Sequence, residues 1–393
     1  MPATYGFLST YPPTQCGLAT FNAALATHLS AATPGARGSG VVRLLAGDAA
    51  GGGIALDRAA PRVVHTWHTG VPGGWPGAAA ALNRFDVAII QHEYGIYPGD
   101  AGAEVLPVLR TLQVPSIVVL HTVLANPDQL QRAVLEQIAD LADAVVTMTD
   151  TARRRLTKNY AVDARKVSVI PHGAASHTGA PRAGRARPHL LTWGLLGPGK
   201  GIEWALRCLA LLQDRQPAPV YTVAGRTHPK VLEQQGDTYR DSLQALAAQL
   251  GVADTVRWLD AYLEPDELSR LIRSADAVLL PYDSTEQVTS GVLIEAVAAG
   301  VPVVATEFPH AVELLADGPG LLVPHQDPEA MALALRHVLA EPGRAGRLAG
   351  ITGGPTLRWP AVAARYQALA ARLLAARAAV TPVAPLATAT IPA

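Results

Sequence analysis

The sequence predicts an α/β protein built from two doubly wound, Rossmann-like domains that face each other across a cleft. Short apolar runs, long enough for a buried strand and too short for a helix, alternate with helical segments, as in parallel sheets. The alternation stops at residues 174–188, which are small, basic and proline-containing, and then restarts with a similar rhythm. A length of 393 residues accommodates both domains.

The first predicted domain covers residues 1–173 and is followed by an interdomain linker at 174–188. A glycine-rich loop is expected at Gly51–Gly53. Its strands are expected at Tyr5–Leu8, Val41–Ala46, Arg62–His65, Phe85–Gln91, Pro115–Leu120, Ala144–Thr147 and Val167–Ile170. Its helices are expected at Leu18–Leu29, at Asp128–Asp140, and from a cap at Asp150 or Thr151 to Asn159.

The second predicted domain covers residues 189–350. Residues 351–378 supply a terminal helix, Trp359–Ala376, and residues 379–393, rich in Pro, Ala and Thr, are expected to be disordered. Strands are expected at His189–Trp193, Val220–Ala224, Thr255–Trp258, Ala277–Leu280, Val301–Ala305 and Gly320–Val323. Helices are expected at Ile202–Leu212, Thr238–Leu250, Pro265–Ser274, Ser290–Ala299 and Pro328–Leu339, and from Pro309 onward.

Composition argues against several classes of protein. Lys plus Arg number 32 and Asp plus Glu number 32, and this zero net charge argues against a nucleic-acid partner. Two distant cysteines, Cys16 and Cys208, form no disulfide framework or Cys-rich metal site, which favours a reducing cytoplasm. The N-terminus does not resemble a signal peptide, and no apolar run approaches the ~20 residues of a membrane span. The basic run Arg153–Arg155 predicts a solvated helix face or, alternatively, a peripheral patch for an anionic lipid or acceptor.

The stretch at residues 276–306 is the most informative part of the sequence. A buried strand, a polar loop, a helix capped by Thr289 or Ser290, and a second strand follow one another. Gly300 lies where a left-handed residue ends the helix, and Pro302 prevents its continuation. The helix start faces the carboxyl end of the strands, where anions bind, and the Glu295 carboxylate can accept hydrogen bonds from vicinal ribose hydroxyls. The alternative is an ordinary buried helix.

Gln287 and Glu295 are separated by seven residues, and the strand sequence Gly-Val-Pro-Val-Val-Ala follows at 300–305. This pattern resembles the retaining glycosyltransferases of family 4 (glycosyl transferases group 1), although these enzymes have glutamate where this chain has Gln287. The resemblance implies the GT-B fold, with the last helix crossing back to the first domain. It also implies a nucleoside diphosphate sugar as co-substrate, with no metal and no other cofactor.

The glycine-rich turn Gly194–Gly201 suits a diphosphate, because Gly199 lets backbone approach the phosphates and Lys200 supplies a cation. Lys200 matches the family lysine, but Leu195 stands where the family has arginine, so Arg226 is a candidate substitute. The loop Ser9–Gly17 is either a plain connection or a phosphate site. The donor-binding residues implied are Gly17, Gly199, Arg226, Ser290, Gly291, Val292 and Glu295.

Polar and aromatic residues follow the predicted strand that ends at Gln91, and we assign His92, Glu93 and Tyr94 to the acceptor side. His92 and Glu93 are adjacent and point in opposite directions, so they do not act as one dyad. His121 is either a satisfied core residue or, by the resemblance, the histidine near the transferred carbon. The catalytic candidates are therefore His121, Lys200 and Gln287.

The expected function is retaining transfer of a hexose from a GDP-mannose or UDP-glucose type donor to a small-molecule, glycan or lipid acceptor in the bacterial cytoplasm. Two alternatives stay open. One is another GT-B enzyme, such as a sugar-nucleotide epimerase or an inverting transferase. The other is a non-catalytic relative that binds nucleotide sugars, which Leu195 and Gln287 both allow.

Overall fold

A computed structural model of the chain describes residues 3–31, 38–47, 60–71, 73–176, 186–316, 318, 320–340 and 354–380. These residues form two sheets of seven and six strands, and every strand pair in both sheets is parallel. Helices cover the sheets, which buries strands on both faces and explains their continuous apolar runs. The predicted pair of doubly wound domains is confirmed.

The first sheet has the strand order β3-β2-β1-β4-β5-β6-β7. Its strands are β1 Tyr5–Thr10, β2 Gly40–Leu45, β3 Arg62–His68, β4 Val87–His92, β5 Ser116–Leu120, β6 Ala144–Thr147 and β7 Val167–Val169. The helices of this domain are α1 Gly17–Ala31, α2 Trp75–Leu82, α3 Val105–Thr111, α4 Gln129–Leu141 and α5 Asp150–Asn159.

The second sheet has the order β10-β9-β8-β11-β12-β13. Its strands are β8 His189–Trp193, β9 Val220–Ala224, β10 Val256–Leu259, β11 Ala277–Leu280, β12 Val303–Thr306 and β13 Gly320–Val323. Its helices are α6 Ile202–Ala210, α7 Pro229–Gln235, α8 Thr238–Gln249, α9 Pro265–Ser274, α10 Gly291–Ala298, α11 Pro309–Leu315 and α12 Pro328–Ala340.

In each sheet the strand order reverses beside the first strand of the domain, between β1 and β4 and between β8 and β11. Ligands of open α/β sheets bind outside the carboxyl ends of the strands at such a reversal. The loops after β1 and β4 and the loops after β8 and β11 lie at these points. The topology therefore places Gly17 and the loop after His92 at the first reversal, and Lys200, Gln287 and the start of α10 at the second. His121 follows the neighbouring strand β5, and Arg226 follows the neighbouring strand β9.

The last helix, α13 (Trp359–Val380), packs on the first domain, as the resemblance implied. The Trp359 ring contacts Phe21 at 5.1 Å between ring centroids, and Tyr366 is fully buried in the same apolar cluster. The helix extends to Val380, so Ala379 and Val380 are helical and the predicted start of the tail was placed too early. Residues 381–393 lie outside the described residues, as do 341–353.

The two domains are joined by acidic side chains of the second domain that bind the first. The Glu313 carboxylate accepts hydrogen bonds from the backbone N–H groups of Asp150 and Thr151, at 2.8 and 2.7 Å, and so covers the start of α5. Glu286 accepts from the Ala125 N–H at 2.7 Å and pairs with Arg155 at 3.0 Å. These contacts fix how the two reversal points face each other.

Local differences from the sequence expectations have identifiable causes. The cap of α5 is Thr149, whose hydroxyl accepts from the Ala152 N–H, and not Asp150 or Thr151. The short helices α2, α3 and α7 were not predicted. The loop at Gly51–Gly53 and the linker residues 177–185 lie outside the described residues. Ser290 and Gly300 behave as predicted, since Ser290 caps α10 and Gly300 has φ of 70°.

Candidate functional site

The glycine-rich turn after β8 has a shape that its own backbone neighbours require. Gly201 has φ of 64°, and a Cβ there would lie 1.7 Å from the Pro281 carbonyl oxygen. Gly225 has φ of 140°, and a Cβ there would lie 1.9 Å from the Gly194 carbonyl oxygen. By contrast, a Cβ at Gly199 or Gly17 would meet no described protein atom within 4 Å. Gly201 and Gly225 are therefore structural. Gly199, whose φ of 85° also favours glycine, and Gly17 border open space.

Lys200 emerges from this turn over an aromatic ring. Its Nζ lies 4.5 Å from the centroid of the Tyr282 ring, and burial lowers the pKa of its ammonium group. No carboxylate among the described residues pairs with it within 4.0 Å. A cation that only a ring face stabilises is well suited to receive an anionic ligand.

Two histidines hold the start of α10. The Ser290 hydroxyl accepts from the Leu293 N–H at 3.2 Å, and the Ser290 N–H donates to His310 Nδ1 at 2.7 Å. A Cβ at Gly291 would lie 2.9 Å from His172 Nε2, so only glycine allows the first domain to approach this closely. Val292 follows, partly buried. The predicted residues Ser290, Gly291 and Val292 therefore lie where the two domains meet.

His121 belongs to a hydrogen-bonded chain that begins on α1. Gln91 Nε2 donates to Asn22 Oδ1 at 3.4 Å, which leaves Gln91 Oε1 to accept from His121 Nε2 at 2.9 Å. His121 is then protonated on Nε2, and its Nδ1 is an acceptor. Burial, with the nearby imidazoles of His172 and His92, lowers the pKa of His121 to about 3. The ring is therefore neutral at ordinary pH.

The neighbouring imidazoles are neutral for the same reason. Burial lowers the pKa of His92 to about 4 and, with His172 nearby, the pKa of His310 to about 3. Burial also lowers the pKa of His172, whose Nδ1 lies 2.7 Å from the Gly173 carbonyl oxygen. His121, His172 and, beneath them, His92 form what we call the imidazole wall of the first domain.

Glu295 and Gln287 both make contacts within the protein. The Glu295 carboxylate accepts from the Ala175 N–H, at 3.1 and 3.2 Å, and so contacts the segment that joins the domains. Gln287 Nε2 donates to the Thr289 carbonyl at 3.2 Å. The adjacent carboxylate, Glu286, is bound to Arg155 and to the Ala125 N–H, so it does not take the place of the missing glutamate.

Glu93 and His92, which we predict to lie on the acceptor side, have different surroundings. The Glu93 carboxylate accepts from the Thr122 hydroxyl at 2.5 Å and from the Tyr94 N–H at 3.0 Å, and burial raises its pKa. His92 is fully buried and stacks on the Tyr97 ring, with the Tyr94 ring at its edge. Glu93 and Tyr94 therefore lie in the loop after β4, which we call the acceptor loop because the sequence predicts it to bind the acceptor, and His92 supports this loop from beneath.

Further residues connect the two sides of the cleft. The Arg226 guanidinium donates to Gln15 Oε1 at 3.1 Å, and the Thr20 and Tyr262 hydroxyls lie 2.7 Å apart. Sequence reasoning did not assign His172, His310 or Glu286 to the site. His172 and His310 each lie beside a proline just after a strand, which was the available signal, whereas the partners of Glu286 are distant in sequence.

The basic run on α5 makes contacts within the protein. Arg153 pairs with Asp150 at 2.9 Å, Arg154 donates to the Thr151 hydroxyl, and Arg155 pairs with Glu286. These contacts favour the interpretation of this run as an ordinary helix face over a patch for an acceptor.

Comparison with known proteins agrees with this geometry. A family model described as "Glycosyl transferases group 1" matches residues 187–341, and one described as "Glycosyltransferase Family 4" matches residues 54–176. The chain belongs to glycosyltransferase family 4. The two matches fall on the two sheets, so both halves of this family 4 chain carry the resemblance.

Curated relatives share about a third of their residues with the matched part of this family 4 chain. A D-inositol 3-phosphate glycosyltransferase of Kineococcus radiotolerans is 32% identical over 53% of this chain and 52% of its own length. One from Corynebacterium glutamicum is 29% identical over 66% of this chain and 68% of its own length. The chain thus spans between about half and two thirds of the length of these relatives.

Solved structures show the same GT-B fold. A glycosyltransferase from Rickettsia africae superposes with a TM-score of 0.70 at 13% identity, covering 94% of this chain and 99% of its own. An Anabaena protein solved with UDP and glucose gives a TM-score of 0.66 at 15% identity, covering 96% and 100%.

The described residues lack two further features. In that part of the chain, no group of three or more His, Cys, Asp and Glu side chains is arranged to hold a metal ion. No helix built from described residues has the length and apolar character needed to cross a membrane.

Proposed function

We propose that the chain is a retaining, metal-independent glycosyltransferase that moves a hexose from a nucleoside diphosphate sugar to an acceptor hydroxyl. The second domain binds the donor, through Lys200, the start of α10 and Glu295. The first domain binds a small-molecule, glycan or lipid acceptor near Glu93 and Tyr94. Membership of family 4 supports the reaction class.

The observation that carries the proposal is that a cationic side of the cleft, in the second domain, faces an uncharged side, in the first domain. Lys200 has no carboxylate partner among the described residues, while His172 contacts the start of α10 at Gly291 and His121 stays neutral. A departing diphosphate needs positive charge, and a partly desolvated ammonium provides it more strongly than one in water. The helix N-terminus at Ser290 and Gly291 adds to this stabilisation.

A neutral imidazole suits the sugar side of the reaction. An oxocarbenium-like carbon carries positive charge, which a protonated histidine would oppose. In the neutral state His121 Nδ1 can accept a hydrogen bond from a sugar hydroxyl, while Gln91 fixes the ring. Gln287 can hold a hydroxyl of the same sugar, since an amide both donates and accepts. Both residues orient the donor without adding net charge.

In the proposed retaining reaction the acceptor attacks the same face of the sugar from which the diphosphate departs. This route does not need the paired carboxylates of glycosidases. Glu286 and Glu295 are both bound to protein groups, which fits this route. An inverting transferase is the second candidate, because burial raises the pKa of Glu93 and a carboxylate on the acceptor side can act as a general base. The anomer of the product distinguishes the two.

The test is a screen of nucleotide sugars for release of nucleoside diphosphate, followed by NMR of the product's anomeric proton. UDP-glucose and GDP-mannose belong in the panel, and D-inositol 3-phosphate belongs among the acceptors because the curated relatives carry its name. Transfer with retention supports the proposal, and an inverted anomer supports the inverting alternative, in which Glu93 is the candidate base. Binding by calorimetry with no turnover identifies a non-catalytic relative, and epimerised donor identifies an epimerase.

A further inference from the structure

Leu195 leaves the glycine-rich turn with a single cation, Lys200, yet a basic segment runs directly beside it. The Leu196 N–H donates to the Arg226 carbonyl at 2.9 Å, and the His228 N–H donates to the Leu196 carbonyl at 2.7 Å. Leu196 and Thr227 form a parallel bridge. The residues that follow Thr227 therefore begin beside the position where the family has arginine.

A buried arginine fixes this segment from below. Arg240 is 5% exposed, and its guanidinium donates to the Gly225 carbonyl at 2.7 Å and to the Thr227 hydroxyl at 3.4 Å. Asp260 pairs with the same guanidinium at 3.0 Å. Further along, the Lys230 N–H donates to His228 Nδ1 at 3.2 Å. These contacts hold the backbone before Lys230 in one conformation.

The Lys230 side chain reaches across the cleft to the acceptor loop. A Cβ at Gly95 would lie 3.0 Å from Lys230 Nζ, so the ammonium lies against the bare backbone of that glycine. Its charge also favours the ionised form of Glu93, which opposes part of the upward pKa shift that burial causes. Lys230 forms no salt bridge within 4.0 Å among the described residues.

Lys200 and Lys230 lie near one imidazole. Burial lowers the pKa of His228, and the charges of Lys230 and Lys200 lower it further. The chain has only four lysines, at 158, 166, 200 and 230, and two of them flank this ring. The two ammonium groups thus approach one region from the two segments that pair at Leu196 and Thr227.

Arg226, the substitute expected from the sequence, is placed differently. Arg226 is exposed, as Lys230 is, but its guanidinium already donates to Gln15 Oε1 of the first domain at 3.1 Å. This hydrogen bond joins the two sides of the cleft, and it occupies one of the N–H donors that Arg226 could otherwise offer to a diphosphate.

We propose that Lys230 supplies the second cation for the donor diphosphate, in place of the arginine that Leu195 replaces. This inference rests on the proposed function, because it requires a nucleoside diphosphate donor. Lys230 also places its positive charge between the donor phosphates and the acceptor loop at Gly95, where negative charge accumulates as the diphosphate leaves. Lys200 and Lys230 then contact the same leaving group from two paired segments of the second domain.

The experiment is calorimetry of the full chain with UDP, GDP and ADP and with the corresponding nucleosides. Lys230→Ala should weaken diphosphate binding about tenfold or more while leaving nucleoside binding unchanged, as expected for the loss of a charge-assisted contact. Arg226→Ala should have a smaller effect. Lys158→Ala, which removes an exposed lysine of the first domain, is the matched control and should bind as wild type does.

A rescue variant separates a missing charge from a damaged loop. Adding Leu195→Arg to Lys230→Ala should restore most of the lost diphosphate affinity, because it returns a cation to the position that the segment flanks. Wild-type diphosphate binding by Lys230→Ala, or a loss equal for diphosphates and nucleosides, overturns the assignment. If wild type binds no nucleoside diphosphate at all, the proposed function fails and this inference fails with it. If wild type binds nucleoside diphosphates and Lys230→Ala has lost this binding but still binds nucleosides, both the transferase proposal and the Lys230 assignment stand.

Discussion

The two sides of the cleft contain opposite kinds of chemical group. The first domain contributes the imidazole wall, in which burial lowers the pKa of each histidine and so favours its neutral form. The second domain contributes Lys200, Lys230 and Arg226, which no described carboxylate neutralises within 4.0 Å. Both sides lie at strand-order reversals of similar sheets. The same architecture therefore provides two different electrostatic environments.

The difference corresponds to the two ends of the proposed donor. A departing diphosphate gains negative charge and is stabilised by cations, whereas the sugar carbon gains positive charge, which a nearby cation would oppose and a neutral imidazole does not. Changes to the cationic side should therefore impair departure of the diphosphate. Changes to the neutral side should impair orientation of the sugar.

Lys200→Ala should have the largest effect, because it removes the ammonium from the cationic side. Turnover should fall about a hundredfold or more, which is typical when a preorganised group that stabilises developing charge is removed. Binding of the bare nucleoside should change little. The measurement is kcat and KM with the best donor of the panel, with Lys158→Ala as control. Equal turnover in Lys200→Ala and wild type would make the glycine-rich turn merely structural.

Glu295→Ala should weaken nucleoside diphosphate binding about tenfold to a hundredfold, the cost of losing charge-assisted hydrogen bonds to hydroxyls. It also removes the acceptor of the Ala175 N–H, so thermal unfolding must be compared in parallel. Glu329→Ala, an exposed glutamate of α12, is the matched control. The affinities for a ribonucleoside diphosphate and for its 2′-deoxy analogue are measured for both proteins. If Glu295→Ala binds the ribonucleotide as tightly as wild type does, or keeps the wild-type ratio of the two affinities, Glu295 is not the ribose contact.

Acidification should destabilise the protein through the neutral histidines. An unfolded imidazole takes up a proton near pH 6.5, whereas folding holds the pKa of His92 at about 4 and those of His121 and His310 at about 3. The unfolded state therefore binds more protons within this window, and stability falls as pH falls. For each such histidine the free energy of unfolding falls by roughly 1.4 kcal/mol for each unit by which the pH drops below 6.5, until its folded pKa is reached.

Urea unfolding at pH 7, 6 and 5 measures this dependence. A variant that lacks one of the three imidazoles, His121→Gln, should show a shallower fall than wild type by about one proton. A wild-type midpoint that does not move between pH 7 and 5 would show that these histidines are not held neutral.

His121→Ala should reduce turnover about threefold to tenfold, the loss expected for one neutral hydrogen bond. The fold should persist, since Gln91 keeps its contact with Asn22. His68→Ala, an exposed histidine of β3, is the control. If the variant instead loses its thermal transition, His121 is a core residue whose main role is packing.

Local chemistry explains how much of the fold the sequence predicted. Ser290, Gly300 and Pro302 determine the limits of α10 through a hydroxyl cap, a left-handed residue and a missing N–H, and all of these act within a few residues. Helix α2 was missed because its alanine-rich sequence has no polar face, and α7 because it has only seven residues. Packing of the buried residues Ala78, Ala79, Ala81 and Leu82 against the rest of the domain stabilises α2.

The candidate site was predictable where residues follow strands directly, as at His121, Lys200 and the loop after β4. It was not predictable where a contact joins distant parts of the chain. Glu286 meets Arg155, and Lys230 meets Gly95, only because the domains close on each other. The neutral state of the histidines likewise depends on burial, which spacing along the sequence does not reveal.

Gln287 gives the most direct test of the central claim, which is that this chain transfers a sugar with an amide where its family has a carboxylate. The measurement is release of nucleoside diphosphate by wild type and by Gln287→Glu over one panel of nucleotide sugars and acceptors. We predict that wild type turns over and that Gln287→Glu changes which donor is preferred without creating activity, because the side chain at 287 orients the sugar. A silent wild type beside a working Gln287→Glu variant would contradict this account and identify a transferase that has lost its chemistry.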